Sequence, residues 1–208
     1  MLPKVESPDD VRRAEAALMA ASAGHLPLHV LIESPAAVHR AFEIAAHPKV
    51  QSLSFGLMDF VSAHGGAIPA DAMSSSGQFT HPLVVRAKLE IAAACHAHGK
   101  VPSHGVVTEF TDGAALQAAA TRAARELGYT RMWSIHPAQI RPILAAFAPN
   151  EREIERASSI IEAAVHAEWA PIQYDNQLHD RASYRYFWQV IERAHQTGRP
   201  LPDTIRPF

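Results

Sequence analysis

Two acidic side chains follow two successive apolar runs of the sequence. Glu33 ends the run at residues 28–33, and Asp59 comes shortly after the run at 51–56. Equivalent positions on neighbouring parallel strands lie only about 4.8 Å apart, so two carboxylates there repel each other unless a cation lies between them. Such hard oxygen ligands suit Mg²⁺, which takes one or two protein carboxylates and keeps water or substrate oxygens elsewhere. The alternative is that each acid caps the following helix.

A histidine closes a later apolar run. His136 lies in the segment SIHPAQI at residues 134–140, where a strand over 131–135 ends and a helix begins. A histidine at this edge either orients a ligand or a carboxylate, or is simply satisfied by backbone groups. His104, at the end of the run at 100–107, is a weaker candidate that we expect to face the pocket mouth.

The segment YDNQLHDRASY at residues 174–184 is polar and contains two acids, Asp175 and Asp180. It is typical of a solvated loop in which Asp180 lies near a helix N-cap. Aromatic residues follow it on the last predicted helix. Exposed aromatic side chains on a terminal helix favour docking onto another surface, such as a second subunit.

Short apolar runs alternate with Ala-rich amphipathic stretches, the pattern of βα units. Five units in order fit an open doubly wound sheet or part of a barrel, and no Gly-rich phosphate loop of the GxGxxG or Walker type follows any strand. A full (β/α)8 TIM barrel takes roughly 250 residues. We therefore predict an α/β chain in which residues 1–149 form barrel strands four to eight and residues 150–208 form C-terminal helices. The predicted strands cover 1–6, 28–33, 51–56, 100–107 and 131–135, with a loop over 170–180.

Composition excludes several classes of function. The 208 residues carry 19 Lys+Arg against 21 Asp+Glu, a formal charge of -2, and no basic block, so we expect no nucleic-acid partner. Apolar stretches fall short of the roughly 20 residues that span a bilayer, so we expect no membrane segment. The opening residues do not resemble a signal peptide, and the single Cys95 forbids an internal disulfide. We expect a cytoplasmic protein.

Five stretches together resemble the HpcH/HpaI aldolase and citrate lyase beta-subunit-like family, which includes malyl-CoA and citryl-CoA lyases. They are MLPKVES at 1–7, LIES at 31–34, FGLMDF at 55–60, SIHPAQI at 134–140 and YDNQLHDRASY at 174–184. The resemblance implies a TIM barrel with Mg²⁺ on Glu33 and Asp59. It also implies a C-terminal lid in which Asp175 reaches the active site of a neighbouring subunit, within a homo-oligomeric trimer or hexamer.

Three features differ from the family pattern. Met58 stands where the family has Glu before the metal-binding Asp, and Asn176-Gln177 replace the usual Gly-Lys after the lid Asp. The first three strands of the barrel have no counterpart in the chain.

The resemblance implies a Mg²⁺-dependent carbon–carbon lyase that cleaves a β-hydroxyacyl-CoA thioester into an acyl-CoA and an oxo acid. In this hypothesis Asp175 is the acid/base and His136 orients the reacting groups. Two alternatives stay open: a class II pyruvate aldolase acting on free hydroxy-oxo acids, and a truncated, non-catalytic paralogue.

Overall fold

The computed structural model describes residues 1–108 and 112–205, which form two compact units. The first unit comprises Met1–Ala146 and the second Phe147–Phe208.

The first unit is built on a parallel sheet. Its strands in the described part are β1 (Leu28–Ile32), β2 (Val50–Phe55), β3 (Val101–His104) and β4 (Arg131–Met132), and they pair in the order β1-β2-β3-β4. A parallel bridge from Leu2 to Val30 adds the N-terminal segment beside β1. Spatial order therefore follows chain order, as in consecutive units of a barrel. A strand was predicted over 131–135, and the observed β4 is shorter because it ends at Met132.

Helices connect these strands, as the alternation of apolar runs with Ala-rich amphipathic stretches predicts. Pro occupies the first turn of several of them, where its missing N–H costs no hydrogen bond. Among the described residues, no helix combines the length and the apolar character that crossing a membrane requires. The helices of this unit are α1 (Pro8–Ala20), α2 (Pro35–His39), α3 (Ala41–Ala46), α4 (Leu57–Ser62), α5 (Pro82–Ala97), α6 (Gly113–Glu126) and α7 (Ile140–Phe147), with short 3₁₀ helices at Ala70–Met73, Gly77–Phe79 and Pro137–Gln139.

The two faces of the sheet have different neighbours. Successive side chains of a strand point to opposite faces, so Val30 and Ile32 share one face and belong to the apolar core. Leu31 and Glu33 share the opposite face, and both line a cavity. The alternation of β1 therefore directs the Glu33 carboxylate away from the core and into that cavity.

The second unit packs α8 (Glu151–His166) against α9 (Arg181–Gln196). Buried isoleucines on both helices, including Ile160 and Ile191, form its core, and Asn150 and Asp180 cap the two helices through their side chains. The prediction of a loop over 170–180 is wrong for most of this range. It contains an antiparallel hairpin of β5 (Ile172–Tyr174) and β6 (Gln177–His179).

The aromatic residues of α9 are mostly packed within the second unit. Tyr184 is buried and its hydroxyl donates to the carbonyls of Ala170 and His179 at 2.7 and 3.1 Å. Phe187 and Trp188 pack against the core of the unit, whereas Tyr186 is exposed. The expectation that these aromatic residues form an exposed docking surface is therefore wrong for Tyr184.

Candidate functional site

Glu33 and Asp59 occupy the carboxyl ends of β1 and β2. Glu33 directly follows β1 and is 5% exposed. Asp59 lies in the first turn of α4, shortly after the end of β2, where the N-terminus of the helix favours a negative side chain. The paired residues Ile32 and Phe55 bring these two ends of the chain together.

The alternative that Glu33 caps a helix is wrong. Ser34 is the N-cap of α2, and its hydroxyl accepts the Ala37 N–H at 3.0 Å while donating to the Glu6 carboxylate at 2.8 Å. The Glu33 carboxylate is therefore not the group that satisfies the start of α2, and its oxygens can bind another partner.

Both carboxylates contact Lys4. The Lys4 ammonium forms an ion pair with Asp59 and lies 3.8 Å from Glu33 Oε1. The same Glu33 oxygen accepts the backbone N–H of Lys4 at 2.7 Å. Lys4 holds this position with a φ of 56°, in the left-handed region that L residues seldom adopt. The two carboxylates thus converge on one position that already holds a positive charge.

These contacts shift the acid–base properties of the site. The hydrogen bond to Asp59 is the main cause that raises the pKa of Lys4, and Glu33 adds to the effect. In return, the hydrogen bond from Lys4 lowers the pKa of Asp59 below its ordinary value. Asp59 is therefore held in its charged form, the form in which a carboxylate binds a cation.

A cavity of about 210 Å³ adjoins the two carboxylates. Several of its lining residues could not be predicted from the sequence. They lie in the 3₁₀ helices or next to β4, and local sequence spacing does not indicate that these elements approach the carboxyl ends of β1 and β2. Lys4 could have been found, since it belongs to the first of the five resembling stretches. Besides Glu33 and Asp59, the lining includes Leu31, Phe55, Gly56, Leu57, Met58, Met73, Gln78, Val106, Thr108 and Trp133.

The donor set fits Mg²⁺. Across residues 1–108 and 112–205, no group of three or more His, Cys, Asp or Glu side chains is placed to hold a metal. Two carboxylates are nevertheless what Mg²⁺ commonly takes from a protein, because it keeps waters and substrate oxygens in its other positions. The cavity beside Glu33 and Asp59 offers space for those oxygens.

His136 lies on the surface as the N-cap of the 3₁₀ helix Pro137–Gln139. Its Nδ1 accepts the Ala138 N–H at 3.2 Å, and Ser134 donates to its carbonyl at 2.8 Å. Gln139 of the same motif is buried, where its amide donates to the Val107 carbonyl and accepts the Ile135 N–H. The motif therefore ties the end of β4 to the segment after β3, a role that sequence spacing did not reveal.

His104 does not face the pocket mouth. It is fully buried, stacks on Phe79 with ring centroids 5.4 Å apart, and meets the edge of Tyr129. Burial is the main cause that lowers its pKa well below the ordinary value, and the charge of Lys88 adds to this. The expectation that His104 belongs to the pocket is therefore wrong.

Asp175 lies at the tip of the hairpin in the second unit and is exposed. Asp175 and Asn176 have φ values of 49° and 61°, so both residues of the two-residue turn are left-handed. This is the pattern of a type I′ turn, in which Asp, Asn and Gly are favoured. Asn176 therefore adopts a left-handed conformation that glycine also adopts. This explains how Asn can occupy the position after Asp175 where the family usually has Gly.

Comparison with known proteins decides the family. Residues 1–137 match the profile of the HpcH/HpaI aldolase/citrate lyase family. The chain belongs to this family.

Relatives within the HpcH/HpaI family act on CoA esters, as their names state. The chain is 31% identical to an L-malyl-CoA/beta-methylmalyl-CoA lyase of Rhodobacter capsulatus over 211 residues, which is 93% of the chain and 66% of the relative. It is also 31% identical to a (3S)-malyl-CoA thioesterase of Cereibacter sphaeroides over 168 residues, covering 81% and 54%. The chain thus spans 66% of the lyase and 54% of the thioesterase, less than two thirds of each.

Solved structures of HpcH/HpaI relatives have the same fold. A citrate lyase of Burkholderia xenovorans is 55% identical with a TM-score of 0.86, covering 98% of the chain and 65% of that structure. A citrate lyase beta subunit of Mycobacterium tuberculosis, complexed with oxaloacetate and magnesium, is 25% identical with a TM-score of 0.60, covering 72% and 60%. The predicted family and the predicted fold, part of a (β/α)8 barrel, are confirmed.

Proposed function

We propose that the protein is a Mg²⁺-dependent carbon–carbon lyase that cleaves a β-hydroxyacyl-CoA thioester of the malyl-CoA or citryl-CoA type into an acyl-CoA and an oxo acid. The observation that carries the proposal is the convergence of Glu33 and Asp59 on one cation position beside a cavity. The lyase names of the relatives support the reaction class, and the magnesium complex of a relative supports the metal.

In this proposal Glu33 and Asp59 hold the metal. Bound there, Mg²⁺ supplies a Lewis acid next to the substrate oxygens on which negative charge develops. The buried Glu33 is fixed by the Lys4 N–H, so the carboxylate is already oriented before a ligand arrives. The apolar lining residues Leu31, Phe55 and Met73 exclude water from part of the cavity and thereby strengthen the electrostatic interactions inside it.

Breaking the carbon–carbon bond converts the hydroxyl-bearing carbon into the oxo carbon, so the hydroxyl gives its proton to a base, and the thioester enolate that is left must gain a proton. We assign Asp175 as the acid/base, contributed by a neighbouring subunit of a trimer or hexamer, with residues 150–208 acting as a lid. The exposed position of Asp175 at a hairpin tip suits a group that reaches another surface. His136 is assigned as an orienting group at the edge of the sheet.

A metal-site variant tests the reaction. The protein is assayed with malyl-CoA and citryl-CoA, with and without Mg²⁺, and products are separated by chromatography. Asp59→Asn is expected to abolish Mg²⁺-dependent cleavage, whereas Asp9→Asn, which changes an exposed carboxylate paired with Arg12, is expected to leave it unchanged. Undiminished cleavage by Asp59→Asn would contradict the metal role.

The same assay separates the lyase from a thioesterase, the activity that the name of another relative states. Lyase activity yields an acyl-CoA and an oxo acid without a free thiol. Hydrolysis yields free CoA, which a thiol reagent detects. Release of thiol in step with substrate loss would replace the proposed lyase by a thioester hydrolase.

A mixing experiment tests the assignment of Asp175. Asp175→Ala and Asp59→Asn are each expected to be inactive alone. If Asp175 acts across a subunit boundary, subunits of the two variants reassembled together regain part of the activity, because one mixed site contains both wild-type groups. The mass of the reassembled protein shows whether mixed oligomers have formed. If they have formed and no activity returns, the cross-subunit role of Asp175 is overturned.

A further inference from the structure

An unusual lysine lies behind the cavity. Lys88 on α5 has no exposed surface. Within residues 1–108 and 112–205, no carboxylate lies within ion-pair distance of its ammonium. Burying an ammonium without a counter-ion is costly, and such groups are rare unless they serve a purpose. Core packing alone would be better served by Met or Leu at this position.

The contacts of Lys88 lead toward the cavity. Its Nζ donates to Gln78 Oε1 at 2.7 Å and lies 3.9 Å from the centre of the Phe79 ring. Gln78 and Phe79 belong to the 3₁₀ helix Gly77–Phe79. Burial lowers the pKa of Lys88 well below its ordinary value, and the nearby Arg122 lowers it further. Among the described residues, Gln78 Oε1 accepts the hydrogen bond that the Lys88 Nζ donates.

Gln78 is the link between this lysine and the site. It is 2% exposed and lines the same cavity as Glu33 and Asp59. An amide has one acceptor oxygen and one donor nitrogen, and the Gln78 oxygen is bound to Lys88. Among the described residues, no hydrogen bond engages the Gln78 Nε2. The contact with Lys88 thus occupies the oxygen of Gln78 and leaves its N–H₂ group available, on a side chain that lines the same cavity as Glu33 and Asp59.

We propose that Gln78 is a substrate-binding residue, whose N–H₂ group donates to a carboxylate or oxo oxygen of the ligand, and that Lys88 is a positioning residue that fixes the orientation of this amide. The inference deepens the proposed function and rests on it for the class of ligand. The carboxylates of Glu33 and Asp59 repel an anionic ligand, so a fixed neutral N–H₂ donor among the lining residues of the same cavity offsets part of this repulsion. Without Lys88, the amide rotates and presents either its oxygen or its nitrogen.

The test uses oxalate, a stable chelating dicarboxylate, as the probe for an oxo acid. Calorimetry measures oxalate affinity in saturating Mg²⁺ for the unaltered chain, Gln78→Met, Lys88→Met and the double variant. Gln51→Met, which changes an exposed glutamine on β2, is the matched control. Lys88→Met is expected to fold, because it replaces a buried charge by an apolar chain of similar length.

Gln78→Met is expected to weaken oxalate binding about tenfold and Lys88→Met severalfold, with the double variant no weaker than Gln78→Met alone. Mg²⁺ affinity without oxalate is expected to stay unchanged in every variant, which a general structural disturbance would not allow. In NMR spectra of ¹⁵N-labelled protein, the side-chain amide signals lost in Gln78→Met are expected to move when oxalate is added. In Lys88→Met these signals move before any ligand is present.

The outcomes separate this inference from the proposed function. Mg²⁺-dependent oxalate binding of unaltered strength in Gln78→Met would overturn the inference and leave the metal site intact. Oxalate binding that needs no Mg²⁺ and survives Asp59→Asn, yet is weakened by Gln78→Met, would support the inference and contradict the proposed metal chemistry. Additive losses in the double variant would overturn the positioning role of Lys88.

Discussion

The Glu33 side chain lies directly against the backbone of Gly56. A Cβ atom at position 56 would lie 2.6 Å from the Glu33 Cβ and 2.9 Å from Glu33 Oε2. Because real Cβ contacts essentially never fall below 3.0 Å, the glycine is needed for the space that the carboxylate occupies. The φ of Gly56 is -95°, so its backbone conformation does not require glycine. The close approach of the Glu33 side chain alone explains why glycine occupies position 56.

Gly56→Ala is therefore expected to displace the Glu33 carboxylate and weaken Mg²⁺ binding about tenfold, with a loss of roughly 1–3 kcal/mol in the free energy of unfolding. Calorimetry with Mg²⁺ and urea denaturation measure the two effects. Gly113→Ala is the control, because its added Cβ meets no atom within 4 Å. Equal Mg²⁺ affinity in Gly56→Ala and the unaltered chain would show that the Glu33 position does not matter for the metal.

In the proposed metal site, the Lys4 ammonium would compete with Mg²⁺ for the oxygens of Glu33 and Asp59. Its ammonium pairs with Asp59 and lies near Glu33, while its backbone N–H independently holds Glu33. Lys4→Met removes the cation and keeps the N–H and the length of the side chain. The variant is expected to bind Mg²⁺ severalfold more tightly in a calorimetric titration. Weaker binding would mean that Lys4 orients the carboxylates rather than occupying the cation position.

Much of the fold could be predicted from sequence because its signals are local. The strand at 28–33 shows an apolar run followed by Ser-Pro, and β1 ends within one residue of that expectation. The α6 helix begins after Asp112, whose side chain accepts the N–H groups of Ala114 and Ala115 as an N-cap should. Such signals depend on neighbours in the chain, so they can be interpreted without knowing the tertiary structure.

The site was predicted only in part, because the rest depends on distant contacts. Glu33 follows β1 and Asp59 follows β2. Because neighbouring parallel strands end at the same edge of a sheet, this local pattern was enough to predict that the two carboxylates lie close together. The Lys88 contact with Gln78 depends instead on how the segment between α4 and α5, which contains the 3₁₀ helix Gly77–Phe79, folds back on α5. The burial of His104 likewise depends on Phe79 and Tyr129, and nothing in its immediate sequence indicates it. Side-chain direction at a strand end is a tertiary property.

Asp10 links the N-terminal segment to α1 and gives stability a pH dependence. Its Oδ2 accepts the N–H groups of Glu6 and Ser7, each at 2.9 Å. The backbone hydrogen bond from Glu6 is the main cause that lowers the pKa of Asp10 below its ordinary value. A lowered folded-state pKa means that the stabilisation is complete above the unfolded-state pKa and is lost as pH falls through the folded-state pKa.

Asp10→Asn is therefore expected to cost about 1 kcal/mol of unfolding free energy at pH 7, and the difference from the unaltered chain shrinks below about pH 4. Urea denaturation across this range measures it. Asp9→Asn, which changes a carboxylate that pairs with exposed Arg12, is expected to change stability by less than about 0.5 kcal/mol. A pH-independent difference would rule out the Asp10 carboxylate as its source.

Asn176 lies in the turn of the β5–β6 hairpin. Its φ of 61° is open to Gly and Asn but strained for a β-branched side chain, which pays roughly 1–2 kcal/mol there. Asn176→Val is expected to destabilise the hairpin by that amount, and Asn176→Gly to leave it nearly unchanged. Hydrogen exchange at the β5–β6 backbone amides measures the effect, with Leu178→Val on the exposed face of β6 as the control.

If Asp175 acts from this tip, Asn176→Val lowers turnover while Mg²⁺ affinity at Glu33 and Asp59 stays constant. Unchanged exchange in Asn176→Val would mean that the turn can adopt another conformation.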